Sequence, residues 1–463
     1  MFSSLVLAAT LAAAPAPRSA ASAQTVVHVP KLDAMAGLSA FLERAGTHAP
    51  VLRPSAWRGE LHPFLVIDPT KPETLSAAGL DAAGPATVSL REDGRVSCLR
   101  VKDAKLFQTK AAEAITAAGG DEPKPATSKG VTTVSVSRAA GGAMGYALKG
   151  QDVCSFGATD AGGPALLKEA VKLVGKAPTP DARLGKVTGV AYLATGGTVV
   201  GLDGTGTALK VDGTALKLPL PPFQAKSTSP YGAMKADGMF FSRAAVAPAG
   251  VAQAVGSLRA TIQSVCPACP KEQVQAMTDT VAKQLTGNLL VNMMDTVQVR
   301  GSLRAPETRF FAVRQALAAE VTDAAAVKSA LAPMGSFPGA KALADGWALT
   351  VKGGSLFVRL KDKQLVVGND ETVTQATLAA LPAAGAKLER AADFSLDPKR
   401  LTRGLNQVSL ADVLADEQLA ALFAISSELG PLLEQSERIT GWMDSVPGGA
   451  HHFSLTWTLP AAK

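Results

Sequence analysis

RVKDAKLFQTKAAEAI, residues 100–115, and EVTDAAAVKSALAPM, residues 320–334, share one local grammar. Each carries a Val-x-Asp-Ala step, Val101 to Ala104 and Val321 to Ala324, followed by a helix-like stretch. A carboxylate just before a helix accepts hydrogen bonds from the unpaired N–H groups of the first turn, so Asp103 and Asp323 read as N-caps. The pair therefore places the same strand-to-helix junction at two points in the chain.

The likeness extends downstream. YALKGQDVCSFG (146–157) and VRLKDKQLVVG (358–368) both read as strand, Gly- or Asp-containing turn, strand. GPALLKEAVKLVG (163–175) and TVTQATLAALPAAG (372–385) then read as helices. GMFFSRAAVAPAGVAQAVGSL, from Gly238, is matched with ADFSLDPKRLTRGLNQVSL, from Ala392. Each gives a short strand containing Phe-Ser and then a proline near a helix start, where its missing N–H costs little. MMDTVQVRGSL, from Met293, is matched with WMDSVPGGAHHFSLTWTL, from Trp442, each read as a helix end followed by a strand.

Tight turns join many of these strands, which favours antiparallel sheets covered by helices over a regular βαβ winding. The expected fold is α+β, with two structurally repeated units at about 90–304 and 312–460. A helix- and strand-like segment, 24–89, packs on the first. A β-rich insert, about 176–230, sits within that first unit. In it GTALKVDGTALKL repeats the phrase GTALK around Asp212-Gly213, a strong hairpin signal because a type I′ turn needs positive φ at both central residues. The glycines from Gly196 to Gly213 read as turn residues; no Gly-Lys-Ser/Thr or G-x-G-x-x-G pattern makes them a phosphate loop.

Composition bounds the class. The chain has 463 residues, 47% hydrophobic and 18% charged, and only 5% aromatic, so small side chains must fill its core. MFSSLVLAATLAAAPAPRSAASAQT opens with an apolar run, Leu5 to Ala14, too short to span a bilayer. Ala21-Ser22-Ala23 before Gln24 fits the small-x-small cleavage rule, although no basic residue precedes the run. Residues 1–23 are expected to be a signal peptide and the mature protein to be exported, periplasmic or extracellular, with no integral membrane segment. The formal charge of +7 is dispersed among acids, without the clustered basic stripe and stacking aromatics of a nucleic-acid binder.

Only SVCPACPKE, 264–272, looks like chemistry. Upstream, Val251, Val255, Leu258, Ile262 and Val265 form a helical stripe; downstream, Pro270 opens a second helix with Val274, Met277, Val281 and Leu285 on its apolar face. Cys266 and Cys269 thus lie in the elbow of a helical pair. A thioredoxin-like cysteine instead opens a helix, whose N-terminus lowers its pKa; Cys266 ends one, where the dipole disfavours a thiolate. The elbow matched in the second unit, QVSLADVLADEQ from Gln407, has no cysteine. A disulfide staple is the expected state, with Cys98 and Cys154 as the natural second pair, although four cysteines allow three pairings.

No cofactor is indicated. Zinc wants four ligands, and neither a second C-x-x-C nor H-x-x-x-H is present. His451-His452 alternate across a strand and so face opposite ways. His28, His48 and His62 lack metal-ligand spacing, and common hydrolase signatures are missing. The functional expectation is an exported, non-catalytic binding or scaffold protein of the cell envelope, its partner an unknown envelope protein. The alternative is a carrier of a lipid or other apolar small molecule, with Met277, Met293, Met294, Leu422, Phe423 and Leu429 as candidate cavity lining. The third is a thiol–disulfide oxidoreductase using Cys266 and Cys269, which requires an exposed Cys266.

Overall fold

The computed structural model describes residues 25–53, 62–68, 71–139, 141–159, 162–176, 187–215, 223–224, 228–302, 305–351, 354–382, 385–406, 427–446 and 449–461. The signal-peptide expectation for residues 1–23 lies outside them. The chain is mixed α+β and falls into two compact units that divide between Lys217 and Leu218. Residues 238–304, grouped with the first repeat in the sequence, therefore share a unit with 312–460.

The N-terminal unit holds strands β1 (Thr25–Val29), β2 (Ala86–Arg91), β3 (Gly94–Arg100), β4 (Ala126–Ser128), β5 (Val131–Ser137), β6 (Ala143–Lys149), β7 (Asp152–Ala158), β8 (Ala191–Thr195), β9 (Thr198–Gly204) and β10 (Ala208–Ala215). Every described pairing is antiparallel, in the order β10-β9-β8-β1-β2-β3-β7-β6-β5-β4. Helices α1 (Ala36–Gly46), α2 (Pro72–Ala77), α3 (Ala104–Ala117) and α4 (Gly163–Leu173) cover it. Asp103 caps α3 by accepting from the Leu106 N–H, and Phe107, Ala111 and Ile115, each four residues apart, form its buried face. That face packs on Val134, Met144, Tyr146 and Val153. Cys154, Phe156 and Ala158, alternating with Val153, instead pack against Leu166 and Ala170 of α4. The period of two thus puts one core on each side of the sheet.

The C-terminal unit holds β11 (Thr228–Ser229), β12 (Phe240–Ala245), β13 (Leu285–Ser302), β14 (Ala305–Val321), β15 (Ala340–Leu343), β16 (Gly346–Val351), β17 (Gly354–Lys361), β18 (Gln364–Gly368), β19 (Ala386–Lys387), β20 (Ala392–Leu396), β21 (Ile439–Val446) and β22 (Ala450–Thr458). Its main sheet is antiparallel in the order β22-β21-β20-β12-β13-β14-β18-β17-β16-β15; β11 and β19 form a separate pair. The strand order matches that of the N-terminal unit position for position. Helices α5 (Pro248–Val265), α6 (Lys271–Gln284), α7 (Ala324–Leu331), α8 (Glu371–Ala380) and α9 (Pro398–Leu405) accompany it, and residues 427–435 are also helical. Asp323 caps α7 from the Ala325 and Ala326 N–H groups. Among the described residues no helix is long and apolar enough to cross a membrane, a statement that does not bear on strands.

Several sequence expectations are corrected. Asp212-Gly213 is not a turn: both residues lie within β10, opposite Gly201 and Val200. The Asp212 carboxylate is buried and accepts from the Thr188 N–H and Oγ1, so its role is to hold a neighbouring segment to the sheet. The turns fall earlier, at Gly196 between β8 and β9, where φ is positive, and at 205–207 between β9 and β10, where the Thr205 N–H donates to the Ala208 carbonyl. Gly201 lies in mid-strand for a different reason: a Cβ there would stand 2.3 Å from the Thr188 carbonyl oxygen. Residues 293–302 are strand throughout, not a helix end; α6 stops at Gln284, and Trp442 likewise lies on β21. Finally, the matched stretches at Gly238 and Ala392 contain β12 and β20, which pair with each other. A proline after a short strand marks any strand-to-helix junction and carries no information about sheet position.

One side chain ties the C-terminal unit's seam together. Arg243, on β12, sits directly opposite Asp393 on β20. Its Nε and Nη2 donate to the two carboxylate oxygens at 2.8 Å each, while Nη1 donates to the carbonyls of Tyr231, Gly232 and Met234. The fork is the reason an arginine serves here. Both side chains keep 20–29% exposure, which discounts the pair below a fully buried one. Arg243→Ala should cost about 2 kcal/mol, and a double-mutant cycle with Asp393→Ala should show coupling of about 1 kcal/mol in urea unfolding; additivity would remove the lock.

Candidate functional site

The Cys266–Cys269 elbow was the foremost candidate, and its geometry is that of a staple. The Cys266 N–H closes α5 on the Ile262 carbonyl, and the Cys269 N–H reaches the Cys266 carbonyl at 3.1 Å. The two thiols lie at disulfide distance, with Cα atoms 5.4 Å apart. They are 1% and 2% exposed, inside a core cluster with Ile262, Val274, Met277 and Val281. A sulfur so enclosed cannot meet a protein disulfide without unfolding the elbow, whereas the oxidoreductase expectation required an exposed Cys266. The comparison elbow at 407–418 lies outside the described residues.

Cys98 and Cys154 form the second pair at disulfide distance, on directly opposed residues of β3 and β7. The described residues hold no free cysteine. Nor do any three of their His, Cys, Asp or Glu side chains come together as a metal site.

The candidate cavity residues do not converge. Met277 packs with α5, α7 and Val367 on one face of the sheet, while Met294 packs with Tyr231, Phe241 and Val366 on the other. Met293 is buried on β13 and Leu429 half-buried at 427–435; Leu422 and Phe423 lie outside the described residues. Beneath α5 and α6 a gap of about 10 Å³ remains, lined by Leu258, Ile262, Met277, Leu331 and Met334. That is room for about one water, where a small-molecule site needs at least about 300 Å³.

The buried polar residues were overlooked in the sequence reading. Tyr231 is fully buried and donates to Gln364 Oε1 at 2.8 Å. Burial, then the Glu320 carboxylate, pushes its phenol far above the usual range, so it is a neutral donor. Glu320 Oε2 accepts from Asn288 Nδ2 at 2.7 Å and Thr286 Oγ1 at 2.9 Å. Arg359, only 8% exposed, pairs with Asp345 at 2.5 Å and Glu371 at 3.1 Å, tying the β15–β16 turn to the first turn of α8. These hydrogen bonds and ion pairs link neighbouring strands and segments and so brace the sheet, although Arg359 Nε finds no partner. The signal for them was a polar residue interrupting an apolar strand, as Arg243 does in FFSRAAV.

In the N-terminal unit His62 is 1% exposed, edge-on to Phe64. Its Nδ1 accepts from the Leu65 N–H at 3.0 Å, while Nε2 finds no partner. Burial and the Arg95 charge lower its pKa to about 3, so the ring stays neutral. His451 is also buried on β22 and His452 stands edge-on to Trp442; in register they oppose Ser445 and Asp444.

No protein-family model, curated protein or solved structure matches the chain.

Two outcomes follow from this geometry. Between pH 6.5 and 3 the unfolded chain binds a proton at His62 that the folded one refuses, so stability must fall as pH drops. His62 alone should remove about 3 kcal/mol between pH 7 and 4, with His28 and His451, also lowered by burial, acting in the same direction. His62→Asn, which retains an acceptor for Leu65, should flatten the slope in denaturant titrations; an unchanged slope refutes it. Second, Cys266→Ala with Cys269→Ala should cost about 2 kcal/mol, the chain-entropy value for so short a loop. The oxidised protein should contain no free thiol and should not reduce insulin.

Proposed function

We propose that this chain is an exported, non-catalytic binding or scaffold protein of the cell envelope, built as a tandem of two copies of one ten-stranded unit. The observation that carries the reading is the state of the cysteines: all four are paired at bonding distance, one pair across the β3–β7 ladder and one inside an elbow. Structural disulfides form and persist outside the reducing cytoplasm. The apolar run Leu5 to Ala14 and the Ala21-Ser22-Ala23 site supply a route there.

The tandem reading is supported by the shared strand order and by matching junctions, Asp103 with Asp323 and Gly150 with Asp362, the last two at positive φ in equivalent turns. The copies then run from β1 to β10 and from β12 to β22, which replaces the earlier boundaries at 90–304 and 312–460. The scaffold reading is supported by how the polar side chains are used: Arg243, Tyr231, Glu320 and Arg359 direct the hydrogen bonds they make to the sheet and its flanking segments. Edman sequencing of the protein from its native source should begin at or near Gln24. Protein recovered from the cytoplasm with Met1 intact would overturn export.

A further inference from the structure

We propose that the N-terminal sheet carries a processing checkpoint: once β1 is seated, the peptide bond between Ala23 and Gln24 is closed to a signal peptidase, so cleavage has to come before the sheet closes. The cleavage site rests on the export reading; the block comes from β1 itself.

β1 is bound from its first residue. Thr25 lies opposite Leu90 of β2, and its hydroxyl donates to Thr195 Oγ1 at 3.1 Å. Val26 lies opposite Ser89 on one edge and Ala194 of β8 on the other, and Val27 opposite Val88 and Leu193. The hold continues without a break. His28 Nδ1 meets Thr87 Oγ1 at 2.8 Å, and Val29 is 2% exposed in the core. Beyond the strand the Leu32 and Asp33 N–H groups donate to the Gly84 and Ala82 carbonyls. In sequence, Gln24 alone separates the scissile bond from this ladder.

A protease works on an extended stretch that has no other partners, and a strand tied into a sheet offers none. Here water adds across the Ala23–Gln24 bond, leaving a carboxylate on Ala23 and an amine on Gln24. Residues on both sides of the bond have to enter the peptidase cleft together. With β1 seated, Thr25 and the residues after it are held by β2 and β8. The β2–β3 turn after Arg91 and the β8–β9 turn at Gly196 flank the point at which the chain enters β1, one on each side. The seam strand of the C-terminal unit is placed differently. β12 is preceded by β11 and followed by α5, so its pairing with β13 and β20 does not involve the start of the chain. A chain that closes its N-terminal sheet first therefore keeps the apolar run Leu5 to Ala14, and one that is cleaved first loses it.

The test uses the folded full-length precursor and a purified signal peptidase in detergent, with release of residues 1–23 read by mass spectrometry. A synthetic peptide of residues 10–31, which has no sheet to join, should be cut between Ala23 and Gln24. The folded precursor should be cut at least about 100-fold more slowly, because cleavage then follows the small population in which β1 is open. A spacer of about eight Gly and Ser residues between Gln24 and Thr25 leaves the strand intact and should bring the rate to within about tenfold of the peptide's. Val27→Pro, which takes a ladder N–H from the middle of β1, should also raise it. Refusal of the peptide would overturn the export reading and the checkpoint together. Equal rates for peptide and folded precursor would overturn the checkpoint alone, as would a spacer variant that resists like its parent.

Discussion

Each sheet depends on a single short strand being hydrogen-bonded along both edges. In the N-terminal unit β1 lies between β2 and β8; in the C-terminal unit β12 lies between β13 and β20. On either side of that seam the strands run on with antiparallel neighbours, and helices reinforce the join: α1 packs on β9 in the N-terminal unit and α9 on β13 in the C-terminal one. The pairing is far from local: Val27 meets Leu193, and Ser242 meets Phe394. Closing such loops costs entropy before any contact repays it, so the seam must be worth forming on both edges. The side chains there are chosen accordingly. Arg243 faces Asp393 across one seam, and His28 faces Tyr192 across the other while its Nδ1 meets Thr87 Oγ1 at 2.8 Å.

Once the seam is formed, the sheet has two faces to bury, and aromatics are too few to do so with bulk. Small and branched side chains fill the space instead, which leaves little free volume between helix and sheet. The two disulfides differ in what they add to this arrangement. Cys98–Cys154 spans a sequence separation of 56 and Cys266–Cys269 one of 3. The chain-entropy model gives about 4 kcal/mol for the first and about 2 for the second. The first therefore restrains the unfolded chain more, although it was the elbow that looked like chemistry in the sequence. Spacing in sequence drew attention to Cys266; spacing in space gives Cys98 the larger thermodynamic role.

Local events were legible in the sequence because local chemistry determines them. Asp103 and Asp323 cap helices wherever those helices sit, Gly150 permits a turn between any two strands, and the stripe from Val251 to Ile262 is helical by period alone. Sheet position was not legible, because it is set by partners more than a hundred residues away. That is how β12 and β20, neighbours in one sheet, were matched as counterparts. Asp212-Gly213 misled for a related reason: the pair favours a turn, but the Asp212 carboxylate is claimed by Thr188, and tertiary burial overrides the local preference. For the candidate site, the elbow and its cysteines were found from spacing and helix periodicity. His62 and Tyr231 were not, since a lone histidine or tyrosine reveals its burial only once the core around it is assembled.

The two units order their strands alike and each caps a helix with an aspartate, and they differ where the chain leaves the sheet. The β8–β9 connection turns at Gly196, but between β20 and β21 the chain passes through α9 and a further helical segment. The β2–β3 hairpin closes as soon as its last ladder pair is made, whereas among the described residues β13 and β14 continue past their pairings with β12 and β18. A longer hairpin adds backbone pairs to itself without disturbing the register inside, because the inner pairs remain set by β12 and β18. A sheet anchored at its seam can therefore extend one ladder outward at little cost to its core.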